Sequence, residues 1–233
     1  IYLLPNLFTT AALFAGFYAI VQAMTDRFEQ AAVAIFIAMI LDGLDGRVAR
    51  LTRTQSAFGA EYDSLSDMVS FGVAPALVMF EWAMKGMGKW GWIAAFIYCV
   101  GAALRLARFN TNIEVVDKRF FQGLPSPAAA ALIAGFVWVL MDLNYTGEEV
   151  RWYAWALTIF AGVTMVSNFR YYSGKDINLR RSVPFIAVLA IVLFFVLVSS
   201  YPPGILFALF LCYAFSGYVM AFLDWVRRRK TPA

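Results

Sequence analysis

Apolar residues run through this chain in eight long blocks, with polar residues concentrated at the joints between them. Windows of about 19 residues place the blocks near 7–25, 30–48, 65–84, 91–110, 127–143, 152–167, 183–200 and 204–224. A block of that length carries a helix across the ~30 Å hydrocarbon core of a bilayer at about 1.5 Å per residue. The joints alternate in character. Those after the odd-numbered blocks are tight turns, at Thr25-Asp26-Arg27, Gly86-Met87-Gly88, Asn144-Tyr145-Thr146-Gly147 and Pro202-Pro203-Gly204. Those on the other side are longer, at Leu51–Ser64, Thr111–Ser126 and Ser167–Ser182, and hold nearly all the polar chemistry. The pattern predicts an all-α, polytopic integral membrane bundle of about eight helices, forming one transmembrane domain over residues 1–233.

Composition agrees. Hydrophobic residues make up 62% of the chain and charged residues 15%, where a soluble domain carries about 25% charged. The first apolar run is too long and unpunctuated for a cleaved signal peptide. Cys99 and Cys212 lie inside apolar runs, which argues against a structural disulfide. With the N-terminus inside, 15 basic residues fall on the long-joint side and only Arg27, Lys85, Lys89 and Arg151 on the other. This positive-inside bias places the long joints and both chain ends in the cytoplasm, at the inner membrane. The Arg227–Lys230 run reads as a topology and anionic-lipid signal, so nucleic acid is not an expected partner. Trp82, Trp90, Trp92, Trp152 and Trp155 fall at outer ends, as an interfacial belt.

One segment breaks the apolar pattern. Asp42, Asp45, Asp63 and Asp67 fall within 26 residues, at the end of the second block and the start of the third. Even the mildest insertion scale charges about 2.5–3.5 kcal/mol for one such residue at membrane depth. On a helix, Asp42, Asp45 and Ala49 (i, i+3, i+7) share a face, with Gly46 and Arg50 on its flank. Asp63 and Asp67 (i, i+4) share a face of the next helix, and a loop of about a dozen residues would bring the two faces together. Taken singly, Asp42 reads as a helix cap, Asp63 as the N-cap of the third span, and Arg50 and Arg53 as topology markers. Four acids at these spacings read instead as a carboxylate cup. Its all-oxygen donor set suits Mg²⁺, Mn²⁺ or Ca²⁺ rather than zinc or copper. Mg²⁺ completes its shell with waters and substrate phosphates, which points to metal–phosphate chemistry. No histidine is present, so proton transfer near neutral pH falls to a carboxylate, lysine, tyrosine or water. Gly46 and Ala49 are small where a ligand would approach. Arg50 suits phosphate, and Gly59 is placed to let the connecting backbone turn beneath the ligand.

The string Asp42-x-x-Asp45-Gly46-x-x-Ala49-Arg50, then Gly59, Asp63 and Asp67, resembles the complete signature of the CDP-alcohol phosphatidyltransferases. The resemblance implies a helical membrane enzyme, usually a homodimer, that moves a phosphatidyl group from a CDP-linked lipid to a small alcohol and releases CMP. It implies Mg²⁺ or Mn²⁺, as one or two ions, held by Asp42, Asp45 and Asp63. Asp67 lies beside the metal as general base, with its own ligation left open. It assigns Gly46, Ala49, Arg50 and Gly59 to the CDP diphosphate site. Leu4-Pro5-Asn6-Leu7-Phe8-Thr9, Arg105–Asn110 and Phe121–Ala129 are similar to the serine-accepting bacterial members. That implies CDP-diacylglycerol as donor and L-serine as acceptor, and adds Asn6 to the diphosphate-binding set.

Free serine offers a carboxylate that an arginine fork would clamp. Arg105 and Arg108 are the candidates, and both also read as topology markers. Lys118 and Arg119 are weaker candidates for lipid or loop phosphates. Two alternatives stand beside this reading. Glycerol 3-phosphate or another polyol as acceptor would bring a phosphate and call for a denser basic pocket. A divalent-cation transporter would spread its acids over several spans around a midplane pore, whereas these occupy one helix–loop–helix.

Overall fold

The structure, a computed structural model, describes residues 3–52, 56–111, 120–173 and 185–230. Helix α1 (Leu3–Ala23) and α2 (Phe28–Thr52) form an antiparallel pair. The turn between them takes its left-handed residue at Asp26 (φ 58°). Both helices are rich in buried alanines, Ala12, Ala15, Ala19 and Ala23 in α1 and Ala31, Ala32, Ala34 and Ala38 in α2. Small residues of this kind let apolar helices approach closely where lipid supplies no hydrophobic drive for association.

The third rod, α3, runs unbroken over Ala57–Met87. It passes through wide π turns at Met68–Val73 and Phe80–Met84 and closes on a 3₁₀ turn at Lys85–Met87. After Gly88 (φ 56°) the chain returns as α4 (Lys89–Thr111). A short strand β1 (Phe120–Gln122) leads into α5 (Ser126–Asp142), which Pro125 and Pro127 start. Then come α6 (Arg151–Val166), strand β2 (Arg170–Tyr172), α7 (Phe185–Ser200) and α8 (Pro202–Lys230). Core packing is α1 on α2, α4 on α6, and α5 on both α2 and α8. Asn6–Ala23, Ala57–Met87, Lys89–Thr111 and Pro202–Arg227 are long and apolar enough to cross a membrane, and Ser126–Asp142 and Val188–Ser200 are shorter apolar helices. In α2 the apolar run is interrupted by Asp42, Asp45 and Arg47. The architecture is all-α, of membrane type.

Two features depart from the sequence pattern. The joint expected over Leu51–Ser64 is mostly helix, because α3 begins at Ala57, eight residues before its apolar block. Ser56, extended at φ −137° and ψ 153°, caps it by accepting the Gly59 N–H at 3.0 Å. Such a cap is worth about 1 kcal/mol. Asp63 therefore sits nearly two turns inside the helix rather than at its cap, and the two acidic helices are joined by a far shorter link than a dozen residues. The second feature is the antiparallel ribbon of β1 and β2, which pairs Phe120 with Tyr172 and Gln122 with Arg170. Beside it, Gly123 (φ 75°) donates its N–H to the Phe169 carbonyl at 2.9 Å, and its backbone passes so near the Met165 carbonyl that no side chain fits.

A similar contact joins α4 to α6. A Cβ on Gly101 would lie 2.5 Å from the Gly162 carbonyl oxygen. Gly101→Leu is therefore expected to destabilise the protein by about 2 kcal/mol or more, read as a lower thermal midpoint in detergent. An unchanged midpoint would mean that this seam does not form.

Candidate active site

At one end of the bundle, α2 and α3 turn their acidic faces toward each other. Asp42, Asp63 and Asp67 each offer a carboxylate oxygen, and the three oxygens lie within 4.8 Å of one another. The carboxylate of Asp42 touches those of both Asp67 and Asp63, and Asp63 also meets Asp45. Unit charges this close repel strongly wherever water is thin. The cluster also holds an orphan: Asp63 Oδ1 is buried without a hydrogen-bond partner. A buried carboxylate oxygen left unpaired is costly, and a hard cation would satisfy it. These residues therefore fit a divalent ion with oxygen ligands, held by Asp42, Asp63 and Asp67.

Asp45, 6% exposed, is set differently. Its Oδ2 accepts a hydrogen bond from Thr9 Oγ1 of α1 at 2.8 Å, while its side chain meets Asp63. It reaches the cluster from the side, with one oxygen fixed by α1. Three further hydrogen bonds hold α1 in place: Ser66 Oγ donates to the Thr9 carbonyl (3.2 Å), Ser70 Oγ donates to the Ala12 carbonyl (3.1 Å), and the Thr10 and Tyr62 hydroxyls pair at 2.9 Å. Partners that orient a ligand in this way typically change metal affinity 10- to 100-fold. Thr9→Val, which keeps the shape and removes the donor, is expected to weaken Mn²⁺ binding by about tenfold. Calorimetric titration checks it, and unchanged affinity would remove Asp45 from the metal's surroundings.

The small residues divide into two kinds. A Cβ on Gly46 would meet nothing within 4 Å, so the protein leaves open space over this part of α2. Gly59 is not a loop hinge: it lies in the first turn of α3, where a Cβ would press on Ser56 Oγ at 3.1 Å and come within 3.5 Å of Asn6 Oδ1. The structure thus brings Asn6 and Gly59 together beside the acids. Ala49 and Arg50 follow on α2; their side chains lie outside the described residues, as do Arg53, Lys118 and Arg119.

The two arginines of α4 part company. Arg105 points inward, 9% exposed, and donates through Nη1 to Ser126 Oγ at 2.9 Å. Its guanidinium lies within electrostatic reach of the Asp67 carboxylate and the Tyr213 hydroxyl. Its Nε is buried with no hydrogen-bond partner, so one donor of the side chain is unsatisfied. Arg108 instead holds the end of α6 and the residues after it, donating to the Val166 carbonyl (2.9 Å), the Ser167 carbonyl (3.3 Å) and Asn168 Oδ1 (3.2 Å). Sequence reasoning missed Thr9, Ser126 and Tyr213 as parts of the site. The first two stand inside the family-like segments Leu4–Thr9 and Phe121–Ala129, while Tyr213 sits in an apolar run that gives no signal.

The profile of the CDP-alcohol phosphatidyltransferase family matches residues 2–166, from α1 through α6 with every acid of the cluster. The chain belongs to this family. Among similar curated proteins, one from Helicobacter pylori (strain ATCC 700392 / 26695) is 40% identical over 76% of this chain and 75% of its own length. One from Methanocaldococcus jannaschii is 41% identical over 59% of this chain and 61% of its own length. One from Saccharomyces cerevisiae is 39% identical over 54% of this chain and 50% of its own length. All three are named CDP-diacylglycerol–serine O-phosphatidyltransferase. The identification rests on the same segment that holds the converging carboxylates; β2, α7 and α8 lie beyond the family profile.

Proposed function

We propose that this chain is a CDP-diacylglycerol–serine O-phosphatidyltransferase, giving phosphatidylserine and CMP. The observation that carries the reading is the convergence of Asp42, Asp63 and Asp67 from two helices in the segment the family shares. The names of the similar proteins supply the acceptor. A Mg²⁺ or Mn²⁺ ion bound there, alone or with a second, supplies neutralising charge for the donor's diphosphate and for the departing phosphate.

The chain's own groups do the rest. Asp67 accepts the proton of the serine hydroxyl as its oxygen attacks the lipid-side phosphorus. The bond from that phosphorus to the bridging oxygen breaks, and CMP leaves with the electron pair. Asn6, Gly46, Ala49, Arg50 and Gly59 surround the diphosphate. Arg105, with its unpaired Nε, clamps the serine carboxylate close to Asp67. Asp45 braces Asp63, and Arg108 positions the end of α6. The donor's acyl chains have a candidate groove of about 510 Å³ between α1 and α2, apolar along Phe14, Tyr18, Val33, Ile37 and Leu41 and polar at Glu29 and Gln30. The reading carries a homodimer in the inner membrane, with the acids at the cytoplasmic face.

Purified protein given CDP-diacylglycerol, Mn²⁺ and either serine or glycerol 3-phosphate tests it. Release of CMP with serine alone is the expected result. Release with glycerol 3-phosphate alone would keep the chemistry and overturn the acceptor. No release with either would overturn the reaction.

A further inference from the structure

A second cavity, of about 330 Å³, opens at the same end of the bundle, on the flank where the chain enters β2 beside the last turns of α8. It is lined by Asn168, Phe169, Arg170, Met220, Ala221, Asp224 and Trp225. It therefore carries one cation and one anion. Among the described residues neither Arg170 nor Asp224 takes part in an ion pair, although both face the same space. Asn168 is held by Arg108 through its amide oxygen, which leaves the amide N–H groups available. The floor is firm: the Phe169 ring packs on Tyr218 with centroids 4.4 Å apart. The outer wall is apolar and lipid-like, for Phe222 stacks on Trp225, and Phe215, Val219 and Phe222 form an exposed strip along α8.

We propose that this cavity is a headgroup site for a phospholipid bearing both a phosphate and a primary ammonium. Arg170 and the Asn168 amide take the phosphate, Asp224 accepts hydrogen bonds from the ammonium, and the chains lie along Phe215, Val219 and Phe222. The charge pattern selects within the lipids. A purely anionic headgroup would leave Asp224 facing like charge, and a quaternary ammonium has no proton to donate. The apolar strip selects a lipid over a free headgroup. Phosphatidylserine, the product of the reaction proposed above, also bears a carboxylate, which would face Asp224, so the site favours a headgroup without one; its position outside the family profile sets it apart from the shared catalytic segment.

Trp225 is the reporter, because the other six tryptophans lie toward the opposite end of the bundle. The full chain is placed in phosphatidylcholine nanodiscs doped with brominated-chain phosphatidylethanolamine, phosphatidylcholine or phosphatidylglycerol. Quenching is read against Trp225→Phe as background. The ethanolamine lipid should quench at about fivefold lower mole fraction than the other two, the scale of one partly exposed charge pair. Arg170→Gln and Asp224→Asn should each bring the three lipids level. Equal quenching by the three lipids in the unaltered chain would overturn the proposal without recourse to any variant. So would a preference that survives both substitutions. Displacement by soluble phosphoethanolamine alone would assign the cavity to a free ligand and overturn the lipid.

Discussion

Asp67→Asn is expected to slow CMP release by about a hundredfold to ten-thousandfold, the usual span for loss of a general base. The substitution keeps the shape of the side chain and its place at the convergence of α2 and α3, so the fold and its thermal midpoint should hold. It removes the carboxylate that takes the proton from the serine hydroxyl and leaves an oxygen that still faces the metal position. Among the described residues the other candidates are engaged: Asp45 is tied to Thr9 and Asp63 is pressed between Asp42 and Asp45. Without histidine anywhere in the chain, no imidazole stands in reserve. Mn²⁺ binding separates the two duties that Asp67 could hold. An amide oxygen still ligates a hard cation, so affinity should fall by no more than about tenfold while turnover falls far more. Full turnover would place the base elsewhere. A parallel collapse of affinity and rate would make Asp67 chiefly a ligand.

The arrangement that this variant probes was partly written in the sequence. Asp42 and Asp45 three apart, and Asp63 and Asp67 four apart, declare two acidic helix faces, and the α-helical repeat does the rest. The apolar blocks likewise announce the helices, since a membrane leaves the backbone few other ways to satisfy itself. The start of α3 was illegible because Ser56–Ser64 mixes Ala57, Phe58 and Ala60 with Ser56, Glu61, Asp63 and Ser64 and so holds no unbroken apolar run. A search for apolar runs reads such a stretch as a joint, whereas capping by Ser56 and contact with Asn6 make it helix. The β1–β2 ribbon was illegible for another reason. Three-residue strands carry almost no periodicity, and their pairing joins segments fifty residues apart. Thr9 shows the same limit within the site. A threonine nearly two turns into a helix has many ordinary roles, and only the approach of α1 to α2 reveals its bond to Asp45.

The two arginines of α4 carry that limit furthest, because sequence alone could not say which turns inward. Arg105→Met is expected to raise KM for serine by about thirtyfold to a thousandfold, equivalent to about 2–4 kcal/mol for truncating one partner of a buried, hydrogen-bonded charge pair. KM for CDP-diacylglycerol should change little, since the diphosphate residues lie on α1, α2 and the start of α3. Arg105→Lys should recover part of the loss: it restores the charge but not the fork that grips a carboxylate through two parallel bonds. Arg108→Met makes the contrast. Its donors are spent on the Val166 and Ser167 carbonyls and on Asn168, so its larger effect should be on the thermal midpoint. A rise in KM for both substrates with Arg105→Met would mean that the guanidinium serves the bundle rather than the acceptor. Its neighbours argue against that outcome. A buried arginine kept only for structure would have its donors satisfied by the protein, whereas Nε of Arg105 is buried without a partner on a guanidinium that lies within electrostatic reach of Asp67 and Tyr213.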